Sequence, residues 1–116
     1  MADAPVTSGV GGDLAARFGG GKSVHTQTVA ASGDTTVLTP ASGKRLAVYW
    51  IAAIPDPNNE TTPLIIVKWS VSGDELYRSY AVVHWEELIG ATDEPLVVNL
   101  SAAVSTPVTI HYREIT

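Results

Sequence analysis

From Val24 onward, apolar residues recur at every second position in short runs, and small polar clusters break the runs. Period-two alternation is the mark of extended backbone, whose side chains point to opposite faces in turn. The pattern predicts strands near residues 24–31, 35–39, 44–54, 64–71, 76–85, 95–101 and 107–115. Ser32-Gly33-Asp34, Ser42-Gly43-Lys44 and Ser72-Gly73-Asp74 read as turns between them, as does the Pro- and Asn-rich stretch from Pro55 to Pro63. Val, Ile and Thr together make up 33 residues, and these β-branched types suit a pleated, half-buried surface. After residue 24 only Trp85 to Ile89 has the makings of a helical turn. Seven or eight short strands with turns about every ten residues predict an all-β domain, a sandwich or a jelly roll.

The faces of these strands carry further information. Between Lys44 and Ile54, strict alternation puts Leu46, Val48, Trp50, Ala52 and Ile54 on one side, and Ala47, Tyr49, Ile51 and Ala53 on the other. Between Leu64 and Val71, it puts Ile65, Val67, Trp69 and Val71 opposite Leu64 and Ile66. A two-layer sandwich buries one face of each sheet. Strands that are apolar on both faces need a second cover, which the N-terminal segment or neighbouring copies in a closed trimer would supply.

The first 23 residues read differently. Six of the ten glycines fall there, and glycine loses much freedom on ordering while burying little. Asp13 to Phe18 predicts a single helical turn capped by Asp13, with Leu14 and Phe18 on one side. We read residues 1–23 as an extended arm whose apolar contacts are Leu14 and Phe18, with Val6 and Val10 as lesser ones, and residues 24–116 as the β-sandwich body.

A chain of 116 residues fits one domain with a real core. Cysteine is absent, which excludes disulfides, thiolate metal sites and a cysteine nucleophile. Charged residues are 16%, few for the surface of a monomer, which again favours cover by partner chains. The net charge of -5 is opposite to that of a nucleic-acid binder and suits an outward-facing location. No apolar run approaches the roughly 20 residues of a membrane helix, and the start lacks the layout of a secretory signal.

Chemical motifs are weak. Gly19-Gly20-Gly21-Lys22-Ser23 resembles the end of a phosphate-binding loop, but Ala16 stands where the pattern needs glycine, and a strand follows rather than a helix. His84 and Glu86, two apart and so on one strand face, with help from His111, are the best metal-ligating set, and a zinc site needs three or four converging ligands. Adjacent Glu86 and Glu87 would face opposite ways, so they make no facing carboxylate pair. No serine has the nucleophile-elbow setting. No cofactor, metal or enzymatic activity is therefore expected. Asn59 and Asn99 head glycosylation sequons, read as chance matches at a loop tip and on a solvent-facing strand. Aromatic residues are the strongest binding candidates. Trp50 and Trp69 are expected in the core, while Tyr49, Ile51, Tyr77 and Trp85 are candidates for a subunit interface, with Tyr77 and Trp85 also suited to a sugar-binding face.

The stretch TVAASGDTTVLTPASGKRLAVYWIAAIPD, from Thr28 to Asp56, covers about a quarter of the chain. It resembles virion proteins of tailed bacteriophages, above all the head-decoration (cement) proteins, which sit as trimers on the outer shell and clamp capsid subunits. The resemblance implies a sandwich or jelly-roll body, homotrimerisation, the major capsid protein as partner, and a terminal arm lying on the lattice at the outer capsid surface. Tail, head–tail joining and fibre-base proteins share the idiom, and a carbohydrate-binding module remains an alternative of a different class.

Overall fold

The computed structural model describes residues 23–116. These form nine strands and no helix: β1 (Ser23–Val29), β2 (Gly33–Leu38), β3 (Arg45–Ala53), β4 (Ile65–Trp69), β5 (Glu75–Ser79), β6 (Val82–His84), β7 (Leu88–Ile89), β8 (Leu96–Leu100) and β9 (Thr106–Ile115). Val6, Val10, Leu14 and Phe18, expected as arm contacts, lie outside the described residues.

The predicted turns are present. Gly43 takes a left-handed φ of 79°, which a side chain would disfavour, and its N–H donates to the Asp93 carboxylate at 2.7 Å. Two predicted elements differ. The stretch 76–85 is two strands in different sheets, divided by a corner at Tyr80 and Ala81. Trp85 to Ile89 makes no helical turn; Leu88 and Ile89 instead pair with Val48 and Ala47, and the Gly90 N–H donates to the Leu46 carbonyl at 3.0 Å.

The strands form two sheets. Sheet A runs β1-β9-β3-β6, with β7 on the same edge of β3 as β6; sheet B runs β2-β8-β4-β5. The antiparallel pairs β4/β5, β3/β6, β2/β8 and β1/β9 are nested one inside the next and alternate between the sheets. One long hairpin, rolled up, has this connectivity, and it is the jelly-roll arrangement. All pairings are antiparallel, so each sheet has one face free to meet something other than the core.

The core lies between the sheets. Sheet A contributes Val29, Leu46, Val48, Ile51, Ala53, Val108 and Ile110; sheet B contributes Val37, Ile65, Val67, Leu96, Val98 and Leu100. Four residues of β3 belong to it, yet they do not follow one alternation. The β3/β9 register steps from Val48↔Tyr112 to Trp50↔His111, so Tyr49 is an extra, bulged residue. Leu46 and Val48 point inward before the bulge, and Ile51 and Ala53 point inward after it. The two-faced apolar pattern of this strand is therefore largely one face that changes parity midway.

Two expectations are corrected by this geometry. Ile51, expected at a subunit interface, is fully buried between the sheets. Trp50, expected in the core, is turned to the outer face of sheet A. Trp69 does pack against the core, and its ring lies so close to Gly90 that a Cβ there would meet it at 3.0 Å.

Truncating Ile51 tests the parity change. Ile51→Ala should cost about 2–5 kcal/mol in urea unfolding, the range for emptying a packed aliphatic site. Thr109→Ser, on the opposite face of the same sheet, should stay within about 0.5 kcal/mol. Equal effects of the two would contradict the bulge-defined core.

Candidate interaction surface

The outer face of sheet A is the feature that stands apart from an ordinary solvated surface. Cross-strand register places Val24 beside His111, and His111 beside Trp50. Trp85, one residue past β6, continues this row: its ring centroid lies 5.7 Å from that of Trp50 at an interplanar angle of 54°. Trp50 also meets the His111 ring edge-on at 5.0 Å. The neighbouring row holds Thr26, Thr109, Ala52 and Val83.

Seven large hydrophobic residues are exposed among the described residues, and five belong to this face: Val24, Ile54, Val83, Ile89 and Trp85, the last 77% exposed. Register assigns them. Val83 is opposite Ala52, Ile89 opposite Ala47, and the Ile54 N–H donates to the Pro107 carbonyl just beyond the last pair of β3 with β9. Exposed apolar residues scattered singly are normal; five on one sheet face make it the candidate contact surface of this fold.

The outer face of sheet B is the contrast. Asp34 on β2 accepts from the Asn99 side chain at 2.8 Å and lies 3.1 Å from the Lys68 ammonium. Glu75 on β5 pairs with Arg78. The Asn99 hydrogen bond and then Lys68 hold the Asp34 carboxyl below its usual value, and Arg78 does the same for Glu75. Charges in mutual register on a sheet face are the ordinary dress of a solvated surface. The strands of sheet A point no Asp or Glu outward from this face.

Polar atoms at the rim of the aromatic row are incompletely matched. The buried Trp50 Nε1 and Arg113 Nε find no acceptor among the described residues. Arg113 sits 5.5 Å from the centre of the Tyr49 ring, a cation–π distance. Burial pushes the Tyr49 phenol up, and its hydrogen bond with Glu87 adds to the shift. Bulging at Tyr49 is what brings this trio together beside the row.

At the open edge of β6 lies a second polar group. The Tyr77 hydroxyl is hydrogen-bonded to His84 Nε2, the two rings lie 3.9 Å apart, and a Glu86 carboxylate oxygen is 3.4 Å from the same nitrogen. Tyr77 belongs to sheet B and His84 to sheet A, so this contact closes the sandwich at one side. Burial, then the Glu86 charge, raises the Tyr77 phenol. His111, the third residue of the predicted metal set, is instead packed under Trp50, and no group of three His, Asp or Glu side chains converges among the described residues.

Of the four residues expected at a subunit interface, the structure brings Trp85 and Tyr49 onto the outer side of sheet A. Tyr77 is half-buried against the core at the sheet edge, and Ile51 is internal. Val24, Trp50 and Val83 were missed. Val83-His84-Trp85 carried a readable signal, since the first and third residues of an extended triplet share a face. Trp50 carried none, because nothing in the sequence announces the bulge. Comparison with protein-family models finds no match for this chain, and comparison with curated proteins finds none.

Acid titration tests the contrast between the faces. Asp34 has a lowered pKa in the fold, so the stability it contributes is present above the ordinary value of 3.8 and is lost as pH falls through the lowered folded value. The stability difference between the wild-type protein and Asp34→Asn, from urea melts, should therefore be constant near neutrality and shrink as the pH is taken below 3.8. A difference independent of pH across that window would show that the Asp34 charge contributes nothing.

Proposed function

We propose that this protein is a structural subunit of a bacteriophage virion: a homotrimer that binds the outer surface of the capsid and stabilises it by bridging major capsid protein subunits. The observation that carries the reading is the apolar outer face of sheet A, five exposed large hydrophobic residues grouped on one side of a sandwich whose other side is charged. A solitary sandwich leaves that face in water. Self-association covers it, at roughly 25 cal/mol for each Å² removed from solvent. The phage assignment rests on the resemblance of Thr28–Asp56 to decoration proteins. In this role the protein works by binding energy alone. Shell contacts made by three copies at once act through effective concentration, so weak single contacts add up to firm attachment. The segment 1–22, with Val6, Val10, Leu14 and Phe18, is assigned to the shell, and sheet A to the neighbouring copies.

The 77% exposure of Trp85 favours a second reading, a sugar-binding face. Against it stands the 54° angle between the Trp50 and Trp85 rings, which gives no flat platform for a pyranose.

Light scattering and shell binding test both readings. The full chain should run as a trimer and add density to purified phage shells that lack their decoration protein. Deleting residues 1–22 should leave the trimer intact and abolish shell binding. A monomeric full chain, or full shell occupancy by the truncated protein, would overturn this assignment. A glycan-array signal lost on Trp85→Ala would replace it with the second reading.

A further inference from the structure

Among the described residues, the two outer strands of sheet A are β1 and β6. β1 is seven residues long, with no charge, no proline and no bulge in its register with β9. Natural sheets guard such edges with charged residues, proline, bulges or brevity. The edges of sheet B are guarded: β5 carries Glu75 and Arg78, and β2 carries Asp34 and a register shift between Thr36 and Leu38. The length and neutrality of β1 therefore call for a partner strand.

The aromatic row says where that partner comes from. It begins at the β1 edge with Val24, 59% exposed, and ends at the β6 edge with Trp85, 77% exposed. Each end is an apolar side chain with no strand beyond it among the described residues. Strand direction agrees. Each neighbour in β1-β9-β3-β6 is antiparallel to the last, so β6 runs opposite to β1. A second copy related by rotation about an axis along the strands then sets its β1 antiparallel to β6, and the alternation continues without a break.

We infer that the partner of the β1 edge is the β6 edge of a second copy of this chain, with Val24 of one copy beside Trp85 of the next. This deepens the trimer reading and rests on it: three such seams close sheet A into a ring, with the three aromatic outer faces turned toward the shared axis. Such an interface is head-to-tail, and it closes because the rotation does. The same register sets Thr26 beside Val83 on the aromatic side. The seam covers the unguarded edge, both ends of the row and the face between them. A two-fold pairing of β1 with β1 would cover the edge and leave Trp85 in water. Charge does not oppose the ring. The chain is acidic overall, yet the side chains that sheet A's strands direct to the axis include Arg113 and His111 and no carboxylate.

Disulfide trapping in the full chain reads the seam directly, because the protein has no cysteine of its own. Directly opposed residues of an antiparallel pair have Cα atoms about 4.5–5.5 Å apart, within the range that a disulfide spans. Val24→Cys with Trp85→Cys should give covalent dimers and trimers under mild oxidation, ending at trimers, while either variant alone gives none. A dimer from Val24→Cys alone would show β1 paired with β1 and overturn the seam. A ladder past three would overturn the closed ring. An uncrosslinked double variant that still scatters as a trimer would remove the seam and leave the trimer reading standing, whereas a monomer in the wild-type chain would remove both. As a second readout, Val24→Lys with Thr26→Lys should keep the far-UV signal of a β protein and shift the scattering mass from trimer to monomer. Retention of the trimer by that variant would refute the inference.

Discussion

The extra residue at Tyr49 is the constraint on which the surface chemistry depends. Without it, β3 would keep one alternation, and Leu46, Val48 and Trp50 would share the core with Ala52. With it, the strand turns over between Val48 and Trp50. Ile51 and Ala53 fill the interior, where a branched aliphatic packs well against Ile65 and Val67, and the indole that would have overfilled that space is delivered to the far side. Trp50 then becomes the base on which Trp85 rests. One inserted residue thus sets both what the core contains and what the outside offers.

The two outer faces obey different rules. On sheet B, Asp34, Asn99 and Lys68 satisfy one another across three strands, and water can complete what remains. On sheet A, indole, imidazole and aliphatic groups adjoin, and buried N–H groups of Trp50 and Arg113 lack acceptors among the described residues. Buried donors in native proteins are nearly always matched, which sets these two N–H groups apart from the mutually paired side chains of sheet B. Both sheets belong to one rolled hairpin, so the difference lies in side chains and not in architecture.

Much of this was legible in the residues. Period-two runs and Ser-Gly turns located nearly every strand, because alternation and glycine act locally. Turns near Gly33, Gly43 and Gly73 came from short-range chemistry that tertiary contacts had no cause to override. The missing pieces are non-local. The division of 76–85 into β5 and β6 depends on which sheet each half joins. The two-residue β7 exists only because Ala47 and Val48 offer it an edge. The bulge reverses half of β3 with no glycine to betray it, and so Ile51 and Trp50 exchanged their expected places. Trp85 lies on the face that alternation from Val83 gives it, because no bulge intervenes in Val83-His84-Trp85. The chemistry of the candidate surface was thus half readable, and its geometry was not.

The nesting of strand pairs has a consequence for how the chain comes to be made. β9 sits between β1 and β3, so sheet A has no continuous centre until the last strand has been synthesised. On the ribosome, β4 and β5 can pair at once, across a five-residue gap in the chain. Ser23, by contrast, waits for Tyr112. Until then β1 and the flank of β3 that faces β9 lack their partner in a nascent polypeptide, the condition under which β-rich chains stray into wrong pairings. The C-terminal strand is therefore the keystone of biogenesis, and truncation there would release a chain unable to finish either its interior or its sticky exterior.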